Sequence, residues 1–279
     1  YDTMNKLKKA LKERDCIQIL EAHNGLSGKI VENSGFEGMW ESSLTDSGSK
    51  GLPDTELVTM DSRLATIRQI REVTTKPMIV DGDTGGQLDH FPYWVKRLEY
   101  IGVEAVIIED KCYPKKNSLD KSASHILEDP DKFAAKIAAG KKVSKDIMIF
   151  ARLESLIAKH SMYEALIRAE AYIKAGADGI MIHSKSEVSG DEVLEFAARF
   201  REKWDLPLVC VPTTYNHMTE KELREAGFNV IIHANHLLRA SYKAMQMAAD
   251  QIESDGRSVA LNNDIATVKD IFAITGYTK

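Results

Sequence analysis

Three acidic side chains, Asp81, Asp83 and Glu109, lie at the ends of short apolar runs of the sequence. Asp81 and Asp83 are two residues apart, so we expect them to point the same way from one strand, with Glu109 beside them on the next. Clustered carboxylates repel one another unless a cation lies between them. Oxygen ligands with no His or Cys nearby favour a hard ion, so the pattern predicts a Mg²⁺ site in which Mn²⁺ can substitute. The alternative is that these acids only cap helices or accept hydrogen bonds at strand ends.

Two groups that can bind an anion, Arg152 and His183, end later apolar runs. A guanidinium at a strand end can hold a phosphate or a carboxylate through paired hydrogen bonds. Taken singly, each is better explained as part of a structural ion pair, such as Arg152 with Glu154. Placed opposite the three acids in the order of the strands, the two together predict a small anionic substrate that bridges to the metal.

Eight short apolar runs bounded by turn residues must position these side chains. Most of the runs are continuously apolar and do not alternate, which is typical of strands covered on both faces in a parallel sheet. Segments with helical periodicity, such as Leu64, Ile67 and Ile70, lie between them. The predicted strands are residues 17–22, 38–43, 78–83, 105–110, 148–154, 179–184, 208–213 and 230–235.

Eight strand–helix units in roughly 250 residues, without a linker-like stretch, predict an α/β protein with a single (β/α)₈ TIM-type barrel over residues 1–279. A doubly wound open sheet is the alternative, but its usual glycine fingerprint is missing. After a helix at about 237–254, a further helical segment at 265–274 exceeds what a barrel needs and is expected to cap it or to dock on a second subunit. The active site of such a barrel lies at the C-terminal ends of its strands, where the polar residues fall.

Helix boundaries carry local signals. Three Ser/Thr–Glu pairs have the spacing of a capping box, and one Asp-Pro pair offers an N-cap followed by proline. Four glycines in a short internal repeat are expected to be left-handed caps where helices end. The pairs are Ser161 with Glu164, Ser189 with Glu192, Thr219 with Glu222 and Asp129 with Pro130, and the glycines are Gly35, Gly102, Gly176 and Gly227.

Composition excludes several functions. Lys and Arg number 37 against 42 Asp and Glu, a net charge of -5, which gives no basic surface for nucleic acid or an anionic membrane. No apolar run is long enough to span a membrane or resembles a signal peptide, so a cytoplasmic enzyme is expected. Cys16, Cys112 and Cys210 have no disulfide or zinc spacing. The first residue is Tyr1, so the possibility that the chain is one domain of a longer protein stays open.

Two connections are too long to be simple turns and are expected to act as lids. Residues 44–60 are rich in Ser, Gly and Asp and include Asp54. Residues 111–128 include Lys115, Lys116 and the pair Asn117-Ser118. The alternative is that the lysines are only solvated charges and that the Asn-Ser pair is an ordinary turn.

The run EDKCYPKKNS, which begins at Glu109, matches the pattern EDKx₅NS and resembles the signature of the phosphoenolpyruvate mutase family, in the isocitrate lyase/phosphoenolpyruvate mutase superfamily. Further motifs resemble that family in the same order along the chain, over about residues 21–255. They are EAHNGLS from Glu21, DGDTG from Asp81, ARLE from Ala151, HSK from His183, VPT from Val211 and ANHLLRAS from Ala234.

The resemblance implies the interconversion of phosphoenolpyruvate and phosphonopyruvate, in which a phosphoryl group moves within the molecule from the enol oxygen to C3. This reaction makes a carbon–phosphorus bond and belongs to phosphonate biosynthesis. The resemblance further implies that Asp81 ligates Mg²⁺ directly and that Asp83 and Glu109 hold its waters. A phosphoryl group in flight needs stabilisation of charge and positioning more than a strong nucleophile.

The resemblance also implies which residues bind the substrate. Backbone N–H groups in the second loop would bind the pyruvyl carboxylate, and the lid would close over the phosphoryl group. Asp54 would lie near that group, either as a nucleophile or as an orienting group. The remaining residues are Trp40, Ser42, Ser43 and Leu44 for the carboxylate, and Lys115, Asn117, Ser118, Arg152 and His183 for the phosphoryl group and its lid.

Quaternary structure is implied by the resemblance alone. It suggests a homotetramer, a dimer of dimers in which paired subunits exchange their C-terminal helices. Three departures from the family pattern bear on the site. The family often continues the Asp-x-Asp-Thr-Gly run with Tyr-Gly-Asn, whereas this sequence reads Gly85-Gly86-Gln87. The loop around Asp54 also differs, and Ser43 stands where the family usually has glycine.

Three other functions stay open. A phosphonopyruvate hydrolase would share the metal site, but it typically lacks the lid asparagine that Asn117 provides. A carbon–carbon lyase acting on 2-hydroxy acids would carry a catalytic cysteine in a different lid motif, which Cys112 does not match. A non-catalytic barrel kept for binding is disfavoured by the intact set of acids and anion-binding residues.

Overall fold

The computed structural model describes residues 4–277, in which eight parallel strands form a closed barrel in chain order. The strands are β1 (Ile17–Glu21), β2 (Gly38–Glu41), β3 (Met78–Asp81), β4 (Ala105–Glu109), β5 (Met148–Leu153), β6 (Gly179–Ile182), β7 (Leu208–Cys210) and β8 (Val230–His233). The helices are α1 (Lys6–Glu13), α2 (Gly25–Glu32), α3 (Ser43–Ser49), α4 (Met60–Arg71), α5 (Phe91–Ile101), α6 (Pro130–Val143), α7 (Met162–Lys174), α8 (Asp191–Arg201), α9 (Glu220–Glu225), α10 (His236–Asp255) and α11 (Val268–Thr275).

The predicted barrel is confirmed, and each of the eight predicted strands is present. Every strand ends between one and three residues before its predicted end, so some polar residues, such as Asp81 and Glu109, end strands and others, such as Asp83 and His183, belong to loops. The barrel closes where β1 pairs with β8, with Ile17 opposite Val230. The polar loop residues therefore meet around one mouth of the barrel.

Two apolar layers hold the barrel together. Side chains such as Ile19, Ile107 and Phe150 fill its interior, and a second layer that includes Phe91 and Phe133 packs between the strands and the surrounding helices. These side chains are at most 2% exposed. Full burial of each such side chain contributes about 1.5–3 kcal/mol, so the two layers provide most of the framework's rigidity.

The N-terminal helix α1 covers the end of the barrel away from the polar mouth. Leu7 is fully buried and packs with Ile17 and Ile19 in the interior layer. The side chain of Asn5 caps α1 and donates to the backbone oxygen of Glu104, just before β4. This helix thus seals the barrel floor.

The local signals at helix boundaries were mostly correct. Thr219 and Glu222 form the predicted capping box, and Ser161 caps α7 through the N–H of Glu164. The prediction at Ser189 was wrong, because α8 begins after Gly190 and the Glu192 carboxylate accepts from Ser184 instead.

The remaining signals gave the same picture. Asp129 caps α6, with Pro130 as its first residue. Gly102, Gly176 and Gly227 have the expected positive φ angles, whereas Gly35 does not, and the prediction of a left-handed cap there was wrong.

The second loop and the C-terminal region differ partly from expectation. The first part of residues 44–60 is helical, because Ser42 caps α3 through the N–H of Thr45. The predicted extra C-terminal segment forms α11, which contacts α2. Its apolar side chains Val268 and Ile271 remain exposed. No helix within residues 4–277 has the length and apolarity needed to cross a membrane.

Candidate active site

A pocket at the C-terminal end of the strands brings together most of the predicted site residues. The strands supply its floor and the two long loops supply its rim. It is lined by the predicted residues Trp40, Ser42, Ser43, Leu44, Asp54, Asp81, Lys115, Asn117, Ser118, Arg152 and His183, together with Leu119, Val211, Thr213, Ala234 and Asn235.

The three acids of the predicted metal site occupy different positions relative to the strands. Asp81 and Glu109 are the last residues of β3 and β4, and both are buried. Asp83 lies beyond β3 in a left-handed conformation, with φ of 54°, so the expectation that strand alternation aligns it with Asp81 was wrong. Instead a tight turn brings it back, and its N–H donates to Oδ1 of Asp81 at 3.1 Å. Gly82 sits between them because a Cβ there would approach Val106 to 2.7 Å.

Lys115 extends from the lid into the acidic group and is 3% exposed. Its Nζ lies 2.9 Å from Oδ1 of Asp83, 3.4 Å from Oδ1 of Asp54 and 3.8 Å from Oε2 of Glu109. Burial opposes the charge on Lys115, but these carboxylates outweigh burial and raise its pKa. The alternative that Lys115 is a solvated surface charge is therefore wrong, whereas Lys116 is exposed.

Ser43 connects Lys115 with Asp81. The Ser43 hydroxyl and N–H both donate to Oδ2 of Asp81, at 2.8 and 3.1 Å, and the hydroxyl accepts from Nζ of Lys115 at 2.8 Å. Burial opposes ionisation of Asp81, but the charges of Lys115 and Arg152 outweigh it and lower the pKa of this carboxyl. Asp81 is therefore ionised at neutral pH.

The donor set fits a hard cation. Oδ1 of Asp54, Oδ1 of Asp83 and both carboxylate oxygens of Glu109 are buried and accept no hydrogen bond from the residues described. Within residues 4–277, however, no three His, Cys, Asp or Glu side chains converge closely enough to hold a bare ion. The Lys115 ammonium already supplies a positive charge among them. The arrangement suits Mg²⁺, which commonly keeps several waters and takes few direct protein ligands.

Arg152 and Glu109 face each other in the register of β5 and β4, so the expectation that the arginine lies opposite the acids was wrong. Nη2 of Arg152 is 3.4 Å from Oε2 of Glu109 and donates to Oγ of Ser118 at 2.8 Å. Its Nε also donates to Oε1 of Glu154 at 2.5 Å. The ion pair with Glu154 therefore exists, and it holds the guanidinium at the edge of the pocket.

His183 lies beside Arg152 on the pocket wall. Its Nδ1 is 3.0 Å from both Nη2 of Arg152 and Oε1 of Glu154. Burial and the charge of Arg152 lower the pKa of His183 despite the opposing effect of Glu154. The imidazole is therefore neutral at physiological pH and leaves Nε2 for a further hydrogen bond.

The lid is fixed over the pocket by contacts on three sides. Nδ2 of Asn117 donates to Oδ2 of Asp54 at 2.7 Å, and the Ser118 hydroxyl donates to Oε2 of Glu154 at 2.6 Å. From below, Nζ of Lys111 donates to the Ser118 hydroxyl at 2.8 Å. The Asn-Ser pair thus joins the second loop and the strand ends, and its alternative as an ordinary turn is wrong.

Glu56, in the second loop, makes a further link to the lid. Oε1 of Glu56 accepts the N–H of Lys115 at 3.1 Å, and Oε2 accepts the hydroxyl of Thr84 at 3.0 Å. Glu56 itself has a positive φ of 59°. One carboxylate therefore ties together the loops that follow β2, β3 and β4.

Sequence reasoning missed five charged residues that support the site. Most lie on helices or inside loops and not at strand ends. For Arg63 a signal existed, since it lies four residues before Ile67 and seven before Ile70, on the buried face of α4. A charged residue in such a position indicates a buried ionic partner. The missed residues are Glu41, Asp46, Glu56, Arg63 and Lys111.

The fold and site define a (β/α)₈-barrel enzyme with acids, a lysine and an arginine around a lidded pocket. The family model for phosphoenolpyruvate phosphomutase matches residues 7–253. A phosphoenolpyruvate phosphomutase of Tetrahymena pyriformis is 37% identical over 274 residues, which cover 97% of this chain and 90% of that protein. The chain belongs to the phosphoenolpyruvate phosphomutase family, so the resemblance stated from the motifs is confirmed.

Solved structures agree with this assignment. The phosphoenolpyruvate phosphomutase from Streptomyces platensis subsp. rosaceus matches with a TM-score of 0.94 at 37% identity, over 98% of this chain and 94% of that one. A phosphonopyruvate hydrolase in complex with oxalate and Mg²⁺ matches with a TM-score of 0.88 at 33% identity, over 98% and 94%. Two reactions therefore occur among similar barrels.

Proposed function

We propose that this enzyme is a Mg²⁺-dependent phosphoenolpyruvate mutase that interconverts phosphoenolpyruvate and phosphonopyruvate. The observation that carries the proposal is the hydrogen bond between Asn117 and Asp54, which joins the lid to the second loop above the pocket. A mutase must keep water from the migrating phosphoryl group, and a lid fastened across the mouth performs that task.

The acids would hold the metal and the second loop would hold the carboxylate. Asp81 would ligate Mg²⁺ and Asp83 and Glu109 would hold its waters, and the ion would stabilise the negative charge of the pyruvate enolate. Mn²⁺ would substitute for it. The N–H groups of Ser43 and Leu44 would bind the pyruvyl carboxylate beside Trp40 and Ser42. The N–H of Ser43 now donates to Asp81, so it would change partner when the substrate binds.

Arg152, His183 and Asn117 would hold the phosphoryl oxygens. In the forward direction the bond between phosphorus and the enol oxygen breaks, its electron pair stays on the pyruvate enolate, and C3 of that enolate then forms the bond to phosphorus. In the loose transition state the negative charge is spread over the three equatorial phosphoryl oxygens, so donors already positioned around them lower the barrier. Lys115 and Ser118 would complete the enclosure.

Asp54 has two possible roles within this reaction. Its Oδ2 accepts from Asn117, and its Oδ1 lies 3.4 Å from Nζ of Lys115 and accepts no hydrogen bond among the described side chains. A carboxylate oxygen that accepts no hydrogen bond beside the phosphoryl site could attack phosphorus as a nucleophile. Alternatively, its negative charge could fix the orientation of the phosphoryl group. Either role needs the lid to be closed.

Hydrolysis of phosphonopyruvate is the second candidate, favoured by the likeness to the hydrolase that binds oxalate and Mg²⁺. A carbon–carbon lyase is disfavoured, since Cys112 lines a separate cavity with Tyr113 and Lys136. Burial also raises the pKa of the Cys112 thiol, so its thiolate is scarce.

The deciding experiment is ³¹P NMR of the purified enzyme with phosphonopyruvate and Mg²⁺. Formation of phosphoenolpyruvate supports the mutase. Inorganic phosphate as the sole product identifies a hydrolase. An unchanged spectrum from folded protein contradicts both and leaves the lyase or a non-catalytic barrel.

We also propose that residues 1–279 act as one catalytic domain and assemble as a homotetramer, a dimer of dimers. Support comes from α11, whose apolar side chains Ile271 and Phe272 are 44% and 37% exposed. On α10, Tyr242 and Met245 are 66% and 63% exposed. Exposed apolar groups repeated along two successive helices of the chain are typical of a subunit interface. Exchange of these helices between paired subunits would cover them.

A further inference from the structure

We infer that Arg63 is a positioning residue of the metal site: it binds one carboxylate oxygen of Asp83 and leaves the other for the cation. This inference rests on the proposed magnesium site. Arg63 lies on α4, outside the barrel, and neither the strand-end pattern nor the family motifs include it. It acts through Asp83 and does not touch the substrate.

The guanidinium of Arg63 is almost completely enclosed, with the residue 2% exposed. Nη1 donates to Oδ2 of Asp83 at 3.0 Å, and Nη2 donates to the backbone oxygen of Asp81 at 2.7 Å. On its other side, Nη2 donates to Oε2 of Glu41 at 2.5 Å and Nε lies 3.1 Å from Oδ2 of Asp46. Both Nη atoms thus donate hydrogen bonds to oxygens, and Nε is held beside Asp46 by charge.

The two contacts to β3 and its turn fix the spacing of the metal acids. Arg63 holds the backbone of Asp81 and the side chain of Asp83, on either side of Gly82. This support is needed because Asp83 has a positive φ of 54° and lies outside the strand ladder. A residue adopts a sparsely populated backbone conformation stably only when the surrounding structure holds it there. Arg63 provides that restraint on the side chain.

The two oxygens of the Asp83 carboxylate consequently have different surroundings. Oδ2 accepts from Arg63, whereas Oδ1 faces the acidic group and pairs there with Nζ of Lys115 at 2.9 Å. Oδ1 is therefore the oxygen on the side where a cation, or a water on that cation, would share the site with the ammonium. The contact also prevents Asp83 from turning to bind the ion with both oxygens.

Lysine could not replace Arg63 in this role. The planar guanidinium meets Asp83, Asp81 and Glu41 in fixed directions, whereas an ammonium is a compact point charge on a flexible stem. Partners of metal-binding groups that set ligand orientation typically change metal affinity by about 10–100-fold when they are altered. A residue that only balances the buried charges of Glu41 and Asp46 would change stability and leave metal affinity unaltered.

The test is titration of the metal-free enzyme with Mn²⁺, in which the electron paramagnetic resonance signal of free Mn²⁺ measures how much of the ion is bound. Arg63→Lys is expected to raise the Kd for Mn²⁺ about 10–100-fold. Arg68→Lys is the matched control, because Arg68 lies on the exposed face of the same helix and undergoes the same chemical change. Thermal unfolding of each variant separates metal affinity from loss of fold.

A double-mutant cycle with Asp83→Asn tests whether Arg63 acts through that carboxylate. In the Asp83→Asn background, Arg63→Lys is expected to change the Kd less than threefold, because the oriented oxygen is already altered. If Arg63→Lys does not fold, Asp46→Asn replaces it, since the amide removes the anion beside Nε. That variant is expected to weaken Mn²⁺ binding several-fold.

An unchanged Kd in folded Arg63→Lys overturns the inference while the proposed metal site stands. Full additivity of Arg63→Lys with Asp83→Asn overturns it equally, because Arg63 would then act by another route. If the unaltered enzyme itself fails to bind Mn²⁺, both the proposed metal site and the inference fall. The three results are distinguishable in one set of titrations.

Discussion

Nδ2 of Asn117 lies 2.7 Å from Oδ2 of Asp54, and this hydrogen bond joins the two long loops of the enzyme across the mouth of the barrel. The two residues are 63 positions apart in the chain and come from loops after β2 and β4. Their contact encloses the end of the pocket where Arg152 and His183 lie. The phosphoryl end of a substrate would therefore be shielded from solvent.

Replacing Asn117 by Ala is expected to lower the rate of phosphoenolpyruvate formation by about 10²–10³, as for the loss of one positioned donor to a charged transition state. Because the lid then loses its bond to Asp54, water should enter and the share of product released as inorganic phosphate should rise. Both quantities are measured by ³¹P NMR. Lys116→Ala is the control on the same loop, since Lys116 is exposed. An unchanged product ratio in Asn117→Ala would show that the lid does not exclude water.

Replacing Lys115 by Met should make stability depend strongly on Mg²⁺. Without the ammonium, the buried carboxylates of Asp54, Asp83 and Glu109 lose their nearest shared cation. Removing one partner of a buried ion pair costs about 3–5 kcal/mol, so the metal-free variant should unfold at clearly lower denaturant. Adding Mg²⁺ should restore more stability to the variant than to the unaltered enzyme. Equal gains in both proteins would contradict a shared site for Lys115 and the ion.

Glu56→Gln tests a pH effect of the loop contacts. Burial and the charge of Asp83 together raise the pKa of Glu56 to about 8. The folded protein therefore keeps a proton that the unfolded chain releases near pH 4.5, so this contribution to stability is complete at low pH and is lost as the pH rises through 8. Gln cannot ionise.

The consequence is a difference between the two proteins that changes with pH. Relative to the unaltered enzyme, Glu56→Gln should gain about 3 kcal/mol in free energy of unfolding between pH 6 and pH 9, because the unaltered enzyme loses about 1.4 kcal/mol per pH unit until the pH reaches about 8. Urea unfolding of metal-free protein at the two pH values measures it. A constant difference would mean that Glu56 is ionised throughout, held by Lys115 and Thr84.

A charge on the exposed face of α11 should disrupt assembly. Phe272→Asp is expected to lower the mass measured by light scattering, because a buried carboxylate at an interface carries a desolvation penalty. Tyr100→Asp on α5 is the control, with a side chain that is 91% exposed. If Phe272→Asp keeps the mass of the unaltered protein, α11 does not form the subunit interface.

Most of the fold could be predicted from the sequence because its pattern is local. Continuous apolar runs with polar ends placed all eight strands, and the glycines at 102, 176 and 227 marked the ends of helices. Local rules failed where a partner outside the pattern competed. Ser189 and Glu192 have the same spacing as Thr219 and Glu222, yet Glu192 binds Ser184 instead.

The candidate site could be predicted only where its residues follow strands. Asp81 and Glu109 end strands and were found in that way. Arg63 and Glu56 reach the same place from a helix and from the interior of a loop, and their partners are 17 to 59 residues away. Such contacts depend on the packing of α4 and on two loop conformations, which no short pattern encodes.

The lid begins and ends at a single point of the barrel. Lys111 and Leu127 form an antiparallel bridge, and next to it the N–H of Cys112 donates to the backbone oxygen of Ile126 at 2.9 Å. Residues 113–125 therefore form a closed excursion whose length and composition can change without repacking any strand. The segment can therefore be replaced as a unit, in natural variants or by design. A transplanted loop that keeps Lys115 would alter the chemistry above the barrel and preserve the acidic group below it.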